Sequence, residues 1–545
     1  MCVRRLQRKC DLFPDGGPGY NTSTKSTEQA GEDMAKYLIG CDIGTSATKA
    51  VLMDTEGRIL GSHYAEHRTY SPQHGYLEHD PEEYWSIFKE NMAAILQRSG
   101  VDARDVAGIG VSSCAPCCVL VDREGRTLSR AQIWMDRRGV EECDAVRKVY
   151  SDEEIFQVNA NPLDPHNGTI KLLWVKNHQP DVYRSTYKML SPANFINMRL
   201  TGAFVTDYSN ASLIGVVFDI VKRVWRTEMI ERIGLDAEKF TRVAPCHEVI
   251  GCVTSRAAAE CGLAEGTPVV AGTVDSNAAW LSNGCVRSGD ASFVMGTAGC
   301  MCVLHETPQF TPHLMNSIHT ANSEVMYSTL AGTASCGGLL RYMRDCFASK
   351  EAAELKGQGG DIFERFSDEA ACVAPGSDGL IILPYIAGER TPLWDPDVRG
   401  MAFGISLDHT RAHWIRAMME AGIYAVYHCL QLMQKNGLNI RDTLLVSEGG
   451  AHSKIWRQIT ADILNVEVAY MRDAKGAPKG NAINAGVGVG LFKSYDVAKD
   501  FVSIDLRQPP DPSAHKKYEE YFKLYRKLYE DNKENYFLLN RLKNA

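Results

Sequence analysis

The sequence predicts an α/β protein built from two similar lobes that face each other. Buried apolar strands alternate with helical segments along the chain, which is the α/β pattern. A strand, Gly-Thr, strand hairpin occupies residues 37–54, and a second one begins at residue 291. The 545 residues, 44% hydrophobic and 23% charged, are enough for two or three domains with complete cores. We therefore expect two large lobes, each opened by one hairpin.

The composition favours a small-molecule partner. The formal charge of -8 leaves no basic footprint, which argues against nucleic acid or an anionic membrane as the main partner. No run reaches the ~18 apolar residues of a membrane span. The 17 cysteines lie mostly in apolar runs and are expected to be reduced thiols in the cytoplasm. The cluster Cys114, Cys117 and Cys118 has no second pair of ligands at matching spacing, so buried small residues are favoured over a metal or redox site.

The first segment, residues 1–35, is expected to be a disordered tail or a mis-assigned start. Basic residues such as Arg4 and Arg5 are not followed by an apolar region, so a secretory signal is excluded. Met34 stands just before the first strand and is an alternative start.

The first hairpin is predicted to hold phosphate. An apolar strand breaks at residues 42–46, where Gly44 permits a tight backbone and the hydroxyls of Thr45 and Ser46 can face phosphate oxygens. Asp42 cannot bind phosphate directly. A carboxylate beside such a loop is instead expected to hold a divalent cation, usually through water, because magnesium takes few protein ligands.

The remainder of the first half continues the alternation. A helix capped by Asp80 is expected from residue 82, a buried strand at 106–111, and helices at 172–176 and 193–200. Residues 134–138 read either as a capped helix start with exposed charge or as a functional loop, and spacing alone does not decide between them. Residues 206–212 are predicted to form a polar loop that can line a cleft.

A strand ending at residue 271 leads through Gly272 to Asp275, which stands at the mouth of a helix. The glycine allows close approach of a neighbouring backbone. Asp275 is expected to cap the helix, to act in catalysis, or to do both.

The second half repeats the strand, Gly-Thr, strand pattern of the first. The hairpin at 291–301 carries Gly296 and Thr297 at its turn, so a nucleotide's phosphates are expected between the two hairpin loops. A long apolar helix at 411–435 precedes a strand, a Gly449-Gly450 turn and another helix, which suits a backbone that approaches a base or ribose. The terminal aromatic stripe at 518–529 has helical spacing and is predicted to be a packing helix.

These residues resemble the FGGY carbohydrate kinases, and within that family the xylulokinases, from about residue 37 to residue 529. The matching motifs occur in the family's order: Asp42-Ile-Gly-Thr-Ser46, Trp134-Met-Asp-Arg-Arg138, Gly272 to Asp275, Met295-Gly-Thr-Ala-Gly299, Pro384-Tyr-Ile-Ala-Gly-Glu-Arg-Thr-Pro392 and Glu448-Gly-Gly-Ala451. His413 and Glu420 stand where the family's C-terminal signature has them. The resemblance implies two actin-like ATPase lobes of ribonuclease H-like topology around a central cleft, with a sugar-side lobe at 36–285 and a nucleotide-side lobe at 286–541.

The resemblance also implies transfer of the ATP γ-phosphoryl group to a sugar hydroxyl with ATP and Mg2+. Position by position, Asp275 matches the catalytic base and Asp42 the magnesium region. The nucleotide-binding positions are Thr45, Ser46, Gly296, Thr297, Gly332, Gly449, Gly450 and Ala451. The sugar side is formed by Ala115, Pro116, Trp134, Asp136 and Asp275.

Two stretches depart from the family pattern. Xylulokinases place Met-His, and glycerol kinases Arg-Glu, where this chain has Ala115 and Pro116, so two hydrogen-bonding side chains are missing on the sugar side. Residues 480–486 replace an Ala-Leu-Gly-Ala run, a change from which we expect little consequence. The leading expectation is a kinase for a ketopentose such as xylulose. The alternatives are a kinase for another sugar, sugar acid or polyol, an actin-like ATPase, or a non-catalytic sugar sensor; a homodimer is compatible with the sequence.

Overall fold

The computed structural model describes residues 36–472 and 476–543, so the predicted tail at 1–35 lies outside the described residues. The first hairpin is the centre of a seven-stranded sheet. Tyr37–Ile43 pairs antiparallel with Ala47–Asp54, which pairs antiparallel with Ile59–Glu66. On its other side Tyr37–Ile43 runs parallel to Val106–Ser113. The sheet continues through Pro268–Val270 and Val249–Cys252, while Thr273–Val274 also pairs with the Val106–Ser113 strand.

The second hairpin builds a second seven-stranded sheet with the same plan. Ala291–Met295 pairs antiparallel with Gly299–His305, which pairs antiparallel with Tyr327–Thr333. On its other side Ala291–Met295 runs parallel to Thr443–Ser447. The sheet then continues through Glu467–Tyr470 and Leu506–Gln508, with Met315–Ile318 at the opposite edge. Six consecutive strands of the first sheet therefore match six of the second in order and in parallel or antiparallel direction. This confirms the predicted α/β fold of two similar lobes.

Helices cover both sheets, and this is why the central strands are buried along nearly their whole length. The helices of the first half are Pro81–Ser99, Val140–Arg147, Asp152–Asn159, Gly168–His178, Pro180–Ser185, Pro192–Thr201, Tyr208–Ile214, Thr227–Arg232, Ser255–Cys261 and Asp275–Ser282. Those of the second half are Gly337–Phe347, Ser349–Gly357, Ile362–Ala371, Arg411–Lys435, Gly449–His452, Lys454–Leu464, Gly476–Gly488, Val497–Asp500 and Pro512–Lys543. Short 3-10 turns lie at Ala103–Asp105, Ala237–Lys239 and Ser377–Gly379.

Five small two-stranded sheets connect loops within the part of the chain that the structure describes. Their strand pairs are Glu78–His79 with Ala131–Gln132, Val119–Val121 with Lys188–Leu190, Val205–Asp207 with Arg242–Ala244, Phe218–Asp219 with Val224–Trp225, and Ile381–Leu383 with Met401–Phe403. None of the helices in residues 36–472 and 476–543 combines the length and apolar character that crossing a membrane requires.

One helix of the second half belongs spatially to the first lobe. Gly476–Gly488, which we call the crossing helix, leaves the second sheet after Glu467–Tyr470 and packs on strands of the first sheet and on Asp275–Ser282. The approach is backbone to backbone: a Cβ on Gly480 would stand 1.8 Å from the Ala278 carbonyl oxygen. The segment predicted as the nucleotide-side lobe, 286–541, thus contains a helix that packs as part of the first lobe.

The prediction of a polar loop at 206–212 was wrong. The segment forms the end of strand Val205–Asp207 and most of helix Tyr208–Ile214, and its polar side chains are buried. Asp207 caps the helix by accepting a hydrogen bond from the Asn210 amide at 2.8 Å. The same polar residues that suggested a loop therefore supply the cap that starts a helix.

The aromatic stripe near the C-terminus is a packing helix, as predicted. Pro512–Lys543 buries Tyr518, Phe522 and Tyr525 in the core of the second lobe. The signature residue Glu420 anchors it, because this buried carboxylate accepts hydrogen bonds from the Tyr518 hydroxyl at 2.8 Å and from Arg416 at 2.9 Å. Glu420 is therefore a structural residue.

Candidate active site

The first hairpin turn is short and is held by a side-chain hydrogen bond from Trp134. Strand Tyr37–Ile43 ends at the turn, and the Gly44 amide donates to the Ala47 carbonyl at 3.0 Å. The indole Nε1 of Trp134 donates to the Thr45 hydroxyl at 2.9 Å, and Ser46 is exposed beside it. A predicted sugar-side residue thus holds a predicted phosphate-loop residue, which joins the two parts of the site.

Asp42 is buried at the base of this turn, with 8% of its surface exposed. Its Oδ1 accepts a hydrogen bond from the Ser112 hydroxyl at 2.7 Å, on the adjacent parallel strand. Burial raises the pKa of the Asp42 carboxyl, and the Ser112 hydrogen bond and the charge of Lys49 only partly oppose this rise. The carboxylate therefore carries negative charge that its protein partners do not fully compensate.

Asp275 is the first residue of helix Asp275–Ser282 and does not cap it, since Val274 holds the cap position. Its Oδ1 accepts a hydrogen bond from the Ser276 amide at 2.6 Å. Burial raises the pKa of Asp275, and the negative charge of Asp42 raises it further. The strand register places the two aspartates near each other: Asp42 pairs with Ser112, and Thr273 and Val274, directly before Asp275, pair with Ser112 and Ser113 on the other side of the same strand. A base and a cation-holding acid in one site would be arranged in this way.

The donor set fits a magnesium ion. Two interacting carboxylates with elevated pKa values offer hard oxygen ligands and a charge that a divalent cation would relieve. Within the described part of the chain, no three or more His, Cys, Asp or Glu residues converge on a metal position. Few protein ligands are what magnesium needs when nucleotide phosphates and water fill its other positions.

The second hairpin turn folds onto the start of a helix. The amides of Gly337 and Gly338, at the beginning of Gly337–Phe347, donate to the carbonyls of Gly296 and Thr297 at 2.9 and 3.0 Å. A Cβ on Gly337 would stand 2.7 Å from the Gly296 oxygen, so only glycine allows this approach. The carbonyls are turned into the protein by these bonds, and Thr297 remains exposed at the tip.

A cavity of about 960 Å³ opens beside this turn, a size typical of a small-molecule site. Gly296 and Thr297 line one side, and Gly449 and Gly450 line another. Its remaining walls come from the start of Gly337–Phe347, from Ile362–Ala371 and from Lys454–Leu464. Four predicted nucleotide-binding residues are therefore brought together.

Two other predicted nucleotide-binding residues do not line this cavity. Gly332 lies within strand Tyr327–Thr333, and its amide donates to the Thr391 hydroxyl at 2.6 Å. Ala451 is fully buried, and its carbonyl accepts from Arg457 at 2.6 Å. The Pro384–Pro392 motif supplies Thr391, so it braces the strand that holds Gly332.

The second lobe also reaches Asp275. Burial raises the pKa of the Cys300 thiol on strand Gly299–His305, Arg390 opposes this rise, and the charge of Asp275 adds to it. The helix that begins at Asp275 also contacts the second sheet directly, because the Asn277 side chain donates to the Ile318 carbonyl at 2.9 Å.

The loops predicted to bind the sugar meet in a mainly apolar cluster. Cys114 and Cys117, which flank Ala115 and Pro116, pack with Ile133, Leu77 and Trp134. Pro116 is buried and Ala115 is half-buried. The thiols of Cys114 and Cys117 lie 3.7 Å apart and are buried, as expected for packing residues.

Asp136 is fully buried, so the alternative of a helix start with exposed charge was wrong. One oxygen accepts from the Leu77 amide at 2.7 Å, and both accept from Arg138, the closest contact being 2.6 Å. The helix begins later, at Val140, without a side-chain cap. Because both oxygens have partners within the protein, Asp136 joins the sugar-side loops to each other and offers no free oxygen to a substrate.

Sequence reasoning missed three contributors: Ser112, Lys49 and Asn481. Ser112 and Lys49 face Asp42 across the register of neighbouring strands, which a prediction of strand pairing could have revealed. Asn481 on the crossing helix donates to the Ser112 hydroxyl at 2.6 Å, and no local signal marks it. The 480–486 departure places Asn481 and Asn484 in the protein interior, where both are hydrogen-bonded.

Comparisons with known proteins show the family to which this chain is related. Residues 37–282 match the N-terminal domain, and residues 291–489 the C-terminal domain, of the FGGY family of carbohydrate kinases. A xylulose kinase of Bacillus subtilis is 28% identical over 92% of this chain and 98% of its own length. A gluconokinase of Bacillus licheniformis is 27% identical over 90% of this chain and 95% of its own length. The crystal structure of a xylulose kinase from Rhodospirillum rubrum superposes with a TM-score of 0.84 at 28% identity, over 92% of this chain and all of that one.

Proposed function

The chain belongs to the FGGY family of carbohydrate kinases, and from this premise we propose that it transfers the γ-phosphoryl group of ATP to a hydroxyl of a ketopentose such as xylulose, with Asp275 as the base. The observation that supports the proposal is that Asp42 and Asp275 lie at neighbouring strand ends of the first sheet, where the helix that begins at Asp275 contacts the second sheet. Phosphoryl transfer depends mainly on positioning and charge neutralisation, which carboxylates and glycine turns can provide.

Each residue has a role in this proposal. Asp275 accepts the proton of the attacking hydroxyl, and its raised pKa places its basicity closer to neutral pH than that of an ordinary aspartate. The Thr45 and Thr297 turns hold the ATP phosphates from the two lobes, and the cavity beside Gly449 receives the nucleoside. Asp42 would hold magnesium, and the bound ion would neutralise phosphate charge.

The acceptor is proposed from the relatives and limited by the sugar-side loops. Xylulose kinase is the name of several relatives, whereas gluconokinases are similar at nearly the same identity. Ala115 and Pro116 cannot offer side-chain hydrogen bonds. A sugar acid is therefore the second candidate acceptor.

The proposed reaction takes place where ATP is present and thiols stay reduced. Buried free cysteines such as Cys41 and Cys302 support a reducing compartment. We accordingly propose the cytoplasm as its location.

A panel of acceptors tests the proposal. ADP release is measured with magnesium and ATP, alone and with xylulose, other pentuloses, pentitols, gluconate or glycerol. We expect release only with an acceptor, and most with a ketopentose. Release that does not depend on any acceptor would favour an actin-like ATPase, and no release would favour a non-catalytic sensor.

Asp275→Asn tests the base. Removing it should lower kcat by about 10²- to 10⁴-fold without loss of nucleotide binding. Thermal unfolding of the variant checks that it is folded. An unchanged kcat would refute the assigned mechanism.

A further inference from the structure

We propose that Asn481 is a positioning residue, which acts through Ser112 to hold the Asp42 carboxylate in the orientation in which it meets magnesium–ATP. The inference rests on the proposed function, because it concerns the same site. It assigns a role in that site to the crossing helix, which comes from the other half of the chain.

Three side chains form a continuous line of hydrogen bonds. The Asn481 side-chain amide donates to the Ser112 hydroxyl oxygen at 2.6 Å, and the Ser112 hydroxyl donates to Asp42 Oδ1 at 2.7 Å. Asn481 and Ser112 are fully buried, and Asp42 is 8% exposed. A bond into the Ser112 oxygen occupies one lone pair and leaves its single hydrogen to be directed at Asp42.

Asn481 is itself fixed. The same amide nitrogen also donates to the Cys41 carbonyl at 2.7 Å, directly before Asp42 in the first strand. The amide group therefore bridges the two neighbouring strands that carry Asp42 and Ser112. Such a bridge fixes the spacing of those strands as well as the direction of the hydroxyl.

The line of bonds decides which carboxylate oxygen faces the phosphate loop. Oδ1 of Asp42 is turned to Ser112, whereas Oδ2 lies 3.7 Å from the position of a Cβ on Gly44, at the hairpin turn. If Ser112 stopped donating, the carboxylate could rotate, and its Oδ2 would lose its fixed direction toward the turn. Partners behind a metal-binding carboxylate commonly change metal affinity by about 10- to 100-fold when they are removed.

Asn484 provides a matched control on the same helix. It is also fully buried, donates to the Cys246 carbonyl at 2.9 Å and accepts from the Tyr495 hydroxyl at 2.7 Å. It ties the crossing helix to the first lobe without contacting Ser112 or Asp42. Its loss should cost stability but leave the metal position unchanged.

The experiment compares Asn481→Ala, Ser112→Ala, their double variant and Asn484→Ala in the full-length protein. Mn2+ is titrated in the presence of ADP, and free Mn2+ is measured from its electron paramagnetic resonance signal. We expect the Mn2+ dissociation constant to rise about 10-fold or more in Asn481→Ala and Ser112→Ala. The double variant should be no weaker than Ser112→Ala, because Asn481 acts through that hydroxyl. Asn484→Ala should bind like wild type, and kcat should fall in Asn481→Ala with little change in the KM of the sugar.

The outcomes distinguish the positioning role of Asn481 from the proposed kinase function. Equal Mn2+ dissociation constants in Asn481→Ala and Asn484→Ala would overturn the positioning role. Additive effects of Asn481→Ala and Ser112→Ala would overturn action through Ser112. Absence of Mn2+–ADP binding in the wild-type protein would instead refute the proposed function, and this inference with it. If Asn481→Ala does not fold, Asn481→Leu, which keeps the side-chain volume but has no amide donor, replaces it, and a Mn2+ dissociation constant equal to that of wild type would overturn the positioning role.

Discussion

Gly480→Ala tests whether the crossing helix sets the position of Asp275. The new Cβ would lie 1.8 Å from the Ala278 carbonyl oxygen and 2.7 Å from its carbon. An ordinary contact is about 3.4 Å, so the two backbones must separate by roughly 1.5 Å, and overpacking of this kind costs about 1–3 kcal/mol. Ala278 lies one turn after Asp275 in the same helix, so the displacement reaches the base. Misplacement by about 1 Å can lower the rate about 10²-fold.

The assay pairs thermal unfolding with kcat in the presence of the best acceptor. Gly488→Ala is the control. Its Cβ would stand 2.3 Å from the His247 carbonyl oxygen, so it strains the end of the crossing helix and not the contact with the helix that begins at Asp275. Both variants should lose stability, but only Gly480→Ala should lose about 10²-fold in kcat. Equal kcat values in two equally destabilised variants would refute the idea that this contact positions the base.

Three further predictions concern the base, the second lobe and the first turn. Because the base acts only when ionised and the pKa of Asp275 is raised by burial, kcat/KM should rise with pH through an apparent pKa above the value of about 4 of an ordinary aspartate; an acid limb near 4 would contradict this. Glu420→Ala and Glu420→Gln both leave the Arg416 charge buried without its carboxylate partner, so each should cost about 3–5 kcal/mol in denaturant unfolding; a Gln variant as stable as wild type would disprove a charge role. Trp134→Phe removes the hydrogen bond to Thr45, about 0.5–1.5 kcal/mol, and should raise the KM of ATP about 2- to 10-fold, whereas an unchanged KM would show that the turn needs no support.

The fold could be predicted largely from the sequence because its main signal is local and repeated. Each hairpin shows an apolar strand, a Gly-Thr turn and a second strand within about twenty residues. Each hairpin also begins a sheet, and the two sheets share the same strand order. Helices such as Arg411–Lys435 were predictable for the same reason, since their apolar spacing is written in adjacent residues.

The candidate site was less predictable because its contacts join distant segments. Asn481 meets Cys41 across 440 positions and Ser112 across 369, so nothing beside Asn481 in the sequence reports its partners. Asp136 offered a carboxylate with the right motif, but Arg138 and the Leu77 amide occupy both oxygens. Side-chain chemistry could be read from the residues, whereas the remaining free capacity of each group depends on the tertiary fold.

The crossing helix also determines when the first lobe can complete its core during synthesis. Its residues Ala482 and Ile483 complete an apolar cluster with Leu38, Met53 and Val270, which are made more than two hundred residues earlier. During synthesis the first sheet would therefore stand with one face uncovered until the last part of the chain emerges, and long-range closure of this kind slows folding. A fragment cut after residue 285 should accordingly aggregate, and adding the crossing helix as a separate peptide should increase its solubility.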